Sequence, residues 1–326
     1  MPSITTHNIF AKEVYKALNS RSKEVINGEI NTYEMFAQSF DWFYFYNLRD
    51  FKNGRKYRKL AGYCHKSNTQ LYLINIVKNI IKNNLQQNPQ VISYLYGTIT
   101  HYCLDSICHP FIFYKTGIYN KNNNSTKKYK GLHTKMEKNI DAYFYEKYYQ
   151  KPFYKYNIVK DILPRIRLKD DTKTLINTIY EETYNKANIA NILIKSYNNS
   201  RLIYRLTTYD KRGIKKRIYS LLDRLLPYKK SNYANWSYYI KQIEENYLNL
   251  ENKTWCHPCD DNIISNDSFI DLFDKAKKKA LVIINEVNKT IYDNADISNL
   301  LDVIPNVSYF SGMLITDKKL MSFFEF

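Results

Sequence analysis

The sequence predicts an all-α fold, and three observations support this prediction. Only 8 Gly and 8 Pro occur among 326 residues, a balance that suits helices better than a turn-rich β-sandwich. Apolar residues recur every three to four positions over several long segments, which is the period of an amphipathic helix. The hydrophobic fraction of 44% is enough for a substantial core. We therefore expect several helices packed around a common apolar interior.

The N-terminal segments predict a short helix followed by a buried aromatic run. Thr5 or Thr6 is a candidate N-cap for a helix whose apolar positions fall within residues 9–18. Residues 40–46, FDWFYFY, are too short to cross a membrane and contain one acid, Asp41. We expect this run to be buried, with Asp41 paired to another polar group.

Three longer helices are predicted in the rest of the first half, at residues 71–85, 91–108 and 133–149. Pro89 suits the first turn of the middle helix. Pro110 should end that helix close to His109, because proline lacks the N–H group that a helix interior requires. Residues 118–131 are polar, basic and rich in Asn, so an exposed loop should separate this helix from the next.

The second half shows the same helical period without an internal repeat or a clear linker. The pattern predicts amphipathic helices at residues 172–199, 213–226, 233–250 and 267–293. The tail from Leu300 to Phe326 has mixed hydrophobicity and fits either short strands or a packed coil. We expect residues 1–326 to form a single domain.

The formal net charge of +18 comes from Lys and Arg spread along the chain. Such a surface attracts anionic membranes, nucleic acid or phosphorylated substrates, and charge alone does not choose among them. An ordinary solvated basic surface explains the charge equally well. No apolar run approaches the length of a membrane span, and the first residues, MPSITTHNIFAKEV, lack the apolar centre of a signal peptide. We therefore expect a soluble, cytoplasmic protein.

The five cysteines do not form a disulfide framework, because their number is odd and three of them lie in apolar stretches. Cys64, Cys103 and Cys108 are expected to be reduced and buried. Cys256 and Cys259 have the spacing of a redox pair or of half a zinc site. No βαβ pattern surrounds them and no second pair exists, so we favour neither role.

Two helices carry potential metal ligands at a spacing of four residues. His101, Asp105 and His109 project from one side of the predicted helix at 91–108 and from its end. His133 and Glu137 repeat this spacing on the next helix, as helical metalloenzymes do when two side chains hold one ion. Together the two helices predict a site for two metal ions.

Other segments of the first half supply His7, Asp41 and His65, so that five of the six histidines precede residue 134. A single histidine of this kind is more often a hydrogen-bonded core or surface residue than a ligand. The combined pattern HxxxDxxxH with HxxxE reverses that preference.

Three segments resemble those of the bacterial zinc-dependent phospholipase C family, whose fold is shared by the fungal single-strand nucleases. They are THNIFAKEV, HYCLDSICHPFIFYKTG and HTKMEKNID. The resemblance is strongest over residues 1–141. Residues 255–273, WCHPCDDNIISNDSFIDLF, also resemble a C-terminal segment of an intracellular branch of this family. The resemblance to this family implies a multi-helix bundle with a zinc cluster in a cleft.

The resemblance also implies a role for each candidate ligand. Eight side chains would hold two to three Zn²⁺ ions: His7, Asp41, His65, His101, Asp105, His109, His133 and Glu137. In this scheme Asp41, His65 and His101 share the first zinc, and His109, His133 and Glu137 complete a second site. Asp105 bridges toward the other ions, and a third zinc lies on His7 and Asp105.

Two features depart from the family pattern. In secreted relatives the third zinc is also held by the amino group and carbonyl of the processed N-terminal residue, and Pro2 would supply these groups after removal of Met1. Relatives commonly have Gly-Pro before the acid at Asp41, and this chain has Ser39 and Phe40.

The resemblance implies metal-assisted hydrolysis of a phosphodiester, with Asp41 as the general base. The implied substrate is a glycerophospholipid, cleaved to diacylglycerol and a phosphorylated headgroup at the inner membrane face. Trp42 and Phe43 are candidates for a headgroup pocket, because an aromatic face attracts a quaternary ammonium, although core packing is the commoner role.

Two alternatives remain at this point. One is a single-strand nuclease of the same fold, favoured by the basic charge, although Glu137 stands where nucleases usually have Asp. The other is a non-catalytic basic protein that binds membrane or nucleic acid and carries structural zinc.

Overall fold

The structure is a computed structural model that describes residues 4–47, 51–225 and 233–325. The helices of these ranges, numbered in chain order, are α1 (Ile4–Ala17), α2 (Ser20–Val25), α3 (Ile30–Phe36), α4 (Phe51–Cys64), α5 (Thr69–Lys82), α6 (Pro89–Thr116), α7 (Leu132–Tyr149), α8 (Ile158–Asp161), α9 (Asp170–Tyr184), α10 (Ile189–Thr207), α11 (Ile214–Leu225), α12 (Phe269–Tyr292) and α13 (Asn299–Val303). Over the same ranges, the sheet structure is one antiparallel pair, β1 (Trp255–His257) with β2 (Asp260–Ser265), and one isolated bridge between Val307 and Leu314. The prediction of an all-α fold is confirmed.

The long helix α6 lies at the centre, packed against α1, α3, α5, α7 and α12. Asn88 caps its N-terminus by accepting hydrogen bonds from the backbone N–H groups of Gln90 and Val91 at 3.1 and 3.3 Å. Pro89 occupies the first turn, as predicted. Gly97 lets α3 approach closely, since a Cβ atom there would collide with the carbonyl oxygen of Tyr33. The cap, the proline and the close packing against α3 therefore hold the central helix in place without any bound ligand.

The prediction that this helix ends near His109 is wrong, because α6 continues through Pro110 to Thr116. Proline keeps a helical φ, but within the helix it removes the hydrogen bond to the carbonyl of Ser106, four residues earlier, and its ring crowds that carbonyl. Gly312 packs closely against that same carbonyl. Phe111 is fully buried after the proline, and its packing offsets the lost bond.

The N-terminal helix begins at Ile4, so Thr5 and Thr6 lie inside it and are not its caps. Asp141, a residue of α7, performs the capping instead. Its two carboxylate oxygens accept the N–H groups of Thr5 at 3.2 Å and Thr6 at 2.8 Å, and one also accepts the Thr6 hydroxyl at 2.8 Å. This contact fixes α1 against α7.

The aromatic run is buried as expected, in a 3-10 helix at Ser39–Phe45. Cys64, Cys103 and Cys108 are free thiols in the core, which confirms their assignment as reduced and buried. Buried apolar side chains from Ile4 to Tyr309 form one connected cluster. Within the described ranges, none of the helices combines the length and apolar character that a bilayer span requires.

The segment predicted as one helix at 172–199 is two helices, α9 and α10. Asn185 and Asn188 adopt left-handed backbone conformations between them, with φ of 52° and 57°. The N–H of Lys186 reaches back to the carbonyl of Tyr180 at 3.2 Å, which closes α9 in a Schellman-type end. Helices predicted at 213–226 and 267–293 are present as α11 and α12.

The prediction of a helix at 233–250 is wrong. This segment contains only short 3-10 turns, at Tyr233–Trp236 and Glu245–Tyr247. Some backbone N–H groups in this segment bond to side chains, and others bond to carbonyl groups only two or three residues earlier, so the i to i−4 pattern of an α-helix does not form. The N–H of Tyr239 donates to the Ser237 hydroxyl at 3.1 Å, and that of Glu244 donates to Asn139 of α7 at 3.0 Å.

After α13 the chain forms a tight loop, residues 305–315, which we call the C-terminal hairpin. Its two arms meet at the bridge between Val307 and Leu314, and Gly312 turns the chain with φ of 65°. His257 anchors it, with Nε2 2.8 Å from the carbonyl of Ser311. The tail after residue 300, whose sequence fits either short strands or a packed coil, is thus mainly coil with little strand.

Candidate metal centre

The first cluster of ligand groups forms around α6. His101 and Asp105 lie one turn apart on this helix, with Nε2 and Oδ2 3.5 Å apart. His65, directly after α4, places Nε2 3.2 Å from Oδ1 of Asp41 and 3.6 Å from Oδ2 of Asp105. His7 of α1 approaches from the other side, with Nε2 3.0 Å from Oδ1 of Asp105. All five side chains are buried.

The second cluster joins α6 to α7. His133 and Glu137, one turn apart on α7, meet at 3.1 Å between Nε2 and Oε1. His109 of α6 places Nε2 3.7 Å from the same Oε1. Its Nδ1 lies 3.5 Å from Oδ1 of Asp105, so the two clusters meet at that carboxylate. His133 is 28% exposed and marks the side on which the centre opens to solvent.

Backbone carbonyl groups orient two of the imidazole rings. Nδ1 of His65 lies 2.7 Å from the carbonyl oxygen of Ala61, and Nδ1 of His101 lies 3.2 Å from that of Ala37. Each Nδ1–H can donate to its carbonyl, so Nε2 of each ring faces the carboxylates. A metal-binding histidine is commonly fixed in this way through its other nitrogen.

The protonation of the centre follows from burial and from its own charges. Burial lowers the pKa of His101 to about 4, so this ring is neutral near pH 7. Burial also opposes charge on His65, but its contacts with Asp105 and Asp41 outweigh that effect and raise the pKa to about 10. Burial would raise the pKa of Asp105, yet His109, His101 and His7 hold it well below its usual range. Asp105 thus retains its negative charge.

The residues present fit divalent metal ions. Several buried atoms of the centre accept or donate no hydrogen bond of ordinary geometry within the described part of the chain: His7 Nδ1, Asp41 Oδ2, Asp105 Oδ2, His133 Nδ1 and Glu137 Oε2. No Lys or Arg of the described ranges forms an ion pair with Asp41, Asp105 or Glu137. The ion-pair partners of these three buried carboxyl groups in the described ranges are histidines, a donor set that suits bound cations.

The spacing of the ligand atoms is compatible with shared ions. Within each of two groups, one ligand atom per residue lies within 4.8 Å of all the others: His7, Asp41, His101 and Asp105 in the first, and His109, His133 and Glu137 in the second. Imidazole nitrogen and carboxylate oxygen together form a donor set typical of zinc.

Comparison with known protein families also points to zinc. The model of the family described as zinc-dependent phospholipase C matches residues 6–191, more than half of the chain. The chain belongs to this family. No curated protein and no solved structure gives a significant match. The match covers α1 to the start of α10, a range that includes all eight predicted ligands.

The structure brings all eight predicted ligands together, and their role in holding zinc stays a prediction. The predicted headgroup pocket at Trp42 and Phe43 does not form. Both rings are buried, with the Trp42 ring 5.0 Å from that of Tyr197 and the Phe43 ring 5.9 Å from that of Tyr180. The indole N–H donates to the carbonyl of Met35 at 2.8 Å. Core packing accounts for this pair.

Sequence reasoning missed the C-terminal hairpin, which lies against the centre from outside the matched region. The N–H of Tyr309 donates to the carbonyl of His65 at 2.8 Å, and its own carbonyl lies 3.1 Å from Nδ1 of His109. Phe310 stacks on the His65 ring, with centroids 5.1 Å apart and planes at 8°. Gly312 is the local signal for this turn, and nothing near it in sequence indicates a metal centre.

Two further sequence predictions concern the ends of the chain. The proposed chelate at Pro2 lies outside the described residues. Cys256 lies in β1 and Cys259 lies in the turn before β2, and both are free thiols. His257 between them uses both ring nitrogens, one toward Ser311 and the other to accept the N–H of Cys259 at 3.1 Å. These contacts give His257 a structural role.

Proposed function

We propose that the protein is a zinc-dependent phosphodiesterase that hydrolyses glycerophospholipids to diacylglycerol and a phosphorylated headgroup. The observation that carries this proposal is the group of eight His, Asp and Glu side chains around α6, of which all but His133 are buried. Family membership supports hydrolase chemistry of this class.

The donor set would hold two to three zinc ions, with Asp105 between the clusters. Zinc bound there would lower the pKa of a water molecule and stabilise negative charge on phosphorus. Asp41 is the proposed general base. Its Oδ1 lies 3.2 Å from Nε2 of His65, and its buried Oδ2 has no hydrogen-bond partner in the described chain.

The substrate would approach at the exposed edge of His133. Phe113 packs there against His133, with ring centroids 4.8 Å apart, and Phe310 lies 6.1 Å from the Phe113 ring. These partly exposed rings form an apolar rim suited to the glycerol and first acyl carbons of a lipid. They replace Trp42 and Phe43 as the aromatic groups next to the centre.

The test is an activity panel on purified protein. Phosphatidylcholine, phosphatidylglycerol and single-stranded DNA are supplied separately, before and after chelation, and zinc is then restored. We expect release of diacylglycerol that chelation abolishes and zinc restores. Cleavage of DNA without lipid turnover would assign the nuclease function instead. Absence of turnover on every substrate at full zinc content would leave a binding protein with structural zinc.

A further inference from the structure

Helix α11 is attached to the rest of the described structure without burying any of its own residues. Asp210 fixes its first turn by accepting the N–H groups of Lys215 and Lys216 at 3.1 and 2.9 Å. Near its other end, Asp223 accepts the N–H groups of Tyr233 and Ala234 at 2.7 and 2.9 Å. Carboxylate bonds at both ends thus hold a helix whose apolar side chains remain available.

These apolar side chains form a continuous stripe. Four aliphatic residues are spaced by four, three and four positions and are 54%, 51%, 52% and 66% exposed: Ile214, Ile218, Leu221 and Leu225. At 100° per residue they occupy a sector roughly 60° wide on the helix surface. Asp223, which bonds to the supporting turn, projects from the opposite side. Scattered exposed apolar residues are ordinary, but a contiguous outward stripe marks an interaction surface.

Positive charge accompanies the stripe. Residues 211–225, KRGIKKRIYSLLDRL, contain six basic residues and one acid, Asp223, whose carboxylate is already bonded to backbone N–H groups. Arg217 and Arg224, seven residues apart, lie along one flank of the stripe. These two arginines also line a hollow on this side, together with three further cations and a tyrosine: Arg212, Lys216, Lys241 and Tyr239.

We propose that α11 docks the protein on a bilayer that contains anionic phospholipid, with the aliphatic stripe in the interface and the basic flank among the headgroups. A helix with one apolar face and Lys or Arg beside it lies in the plane of such an interface. Each cation near an anionic leaflet adds to the affinity. The proposal goes beyond the catalytic function and is independent of it.

The chemistry of the stripe favours a lipid surface over two other binding partners, single-stranded nucleic acid and a second copy of the chain. Single-stranded nucleic acid is held by cations together with aromatic stacking, and four aliphatic side chains provide no stacking surface. A second copy of the chain would place two basic flanks near each other if the stripes met face to face, and that repulsion opposes pairing. A lipid surface satisfies both the apolar stripe and the cations.

The docking helix is also connected to the candidate metal centre. Tyr239 packs against Gly213 just before α11, and Lys138 of α7 lies over the ring of Tyr238, 4.6 Å from its centroid. The N–H of Glu244 then bonds to Asn139 of the same helix at 3.0 Å. Helix α7 carries His133 and Glu137. Segment 237–244 therefore links the docking helix to the helix that supplies two of the eight predicted ligands.

The experiment is cosedimentation of the intact protein with vesicles of phosphatidylcholine, with and without phosphatidylglycerol. Short incubations at low temperature limit hydrolysis, which is followed as lipid phosphorus lost from the pellet. We expect binding to the anionic vesicles to exceed binding to phosphatidylcholine by at least about tenfold at low salt, and to weaken as salt is added.

Two double variants separate the contributions, each with a matched control. Ile218→Asp with Leu221→Asp removes the stripe, and its control places Asp at Val282 and Leu301, which are 54% and 50% exposed on other helices. Arg217→Glu with Arg224→Glu reverses the flank, and its control reverses the exposed Lys121 and Lys127 with the same change in net charge. Both α11 variants should lose at least about tenfold in vesicle affinity, and both controls less than about twofold.

Three results would overturn the proposal. The first is vesicle binding by the α11 variants equal to that of the unmodified protein. The second is tight binding of a single-stranded oligonucleotide that charge reversal abolishes and the stripe variant retains. The third is a dimer in sedimentation velocity that only the stripe variant dissociates. Thermal unfolding of each variant verifies that it is folded.

The same variants distinguish this proposal from the proposed catalysis. A short-chain phosphatidylcholine, supplied below its critical micelle concentration, reaches the centre without a membrane surface. Variants of α11 should hydrolyse it at the unmodified rate while failing on anionic vesicles. If no phosphodiester is hydrolysed but vesicle binding follows α11, the docking proposal stands and the catalytic one fails.

Discussion

At the scale of single residues, Asp105 is the point at which the two ligand clusters meet. Its Oδ1 lies near His7 and His109, and its Oδ2 lies near His101 and His65, all within 3.6 Å. A carboxylate can place one oxygen toward each of two ions, whereas an amide offers a single neutral oxygen. A site for more than one ion would therefore depend on this side chain more than on any one histidine.

Replacing Asp105 with Asn should reduce phosphodiesterase activity by at least about a hundredfold, because the bridge between ions is lost. Far-ultraviolet circular dichroism should change little, since buried apolar residues hold the helices. Glu137→Asp is the comparison variant. It shortens the reach by one methylene, so it should weaken only the second zinc position. Full turnover and full zinc content in Asp105→Asn would show that the bridging role is wrong.

Ser39 offers a separate test of how the chain tolerates its departure from the family pattern. This residue begins the 3-10 helix that contains Asp41, at a position where relatives commonly have Gly, and its φ is 31°, in the region that favours glycine. Ser39→Gly should raise the free energy of unfolding by about 0.5 kcal/mol, because relief of strain exceeds the added chain entropy. Denaturant unfolding measures this. Ser39→Ala keeps the strain and should show no gain; an equal gain in both variants would exclude strain as the cause.

At the scale of elements, the parts predicted from sequence are those whose signals are local. The four-residue spacing of His101, Asp105 and His109 appears on α6 as expected, and that of His133 and Glu137 appears on α7. The end of α6 was misplaced because Pro110 is retained in a helix that tertiary packing continues. Likewise, the cap from Asp141 and the C-terminal hairpin depend on pairs of residues far apart in sequence, which periodicity does not reveal.

The cap of α1 makes an element-scale prediction, since that helix carries His7. Asp141→Ala leaves buried N–H groups at Thr5 and Thr6 without their acceptor, which should cost about 2–3 kcal/mol of unfolding free energy. It should also lower zinc content, because His7 is no longer held. Asp271→Ala, at the local capping box of α12, should cost about 1 kcal/mol and leave zinc unchanged. Equal zinc loss in the two variants would exclude a specific role for the α1 cap.

At the scale of the whole molecule, a connected core runs from Ile4 to Tyr309, and the candidate centre lies within it. Ligands from α1, α6, α7 and two connecting segments converge on one place. Bound metal would therefore stabilise the fold by linking elements that are distant in sequence. The single domain over residues 1–326 and the cytoplasmic location stay predictions, whereas the family and its all-α architecture are confirmed.

Metal removal tests this coupling directly. Purified protein should contain two to three zinc ions per chain, and His101→Ala should lose at least one. Chelation should lower the free energy of unfolding by at least about 3 kcal/mol, because zinc binds the folded state and not the dispersed ligands of the unfolded chain. Elemental analysis and denaturant unfolding measure the two effects. One zinc or none, or unchanged stability after chelation, would contradict the multi-ion centre.

The C-terminal hairpin has a consequence for the order of events during protein synthesis. Every predicted ligand has been translated by the time Glu137 leaves the ribosome, but Tyr309, which bonds to His65 and His109, emerges only much later. The nascent chain thus displays a complete set of ligands before their final orientation is fixed. We expect ribosome-bound chains arrested before residue 305 to exchange zinc faster than chains in which the hairpin has emerged, as measured by transfer to a chromogenic chelator. Equal exchange in both would mean that the helices alone set the metal-binding geometry, and that maturation of the centre does not wait for the last part of translation.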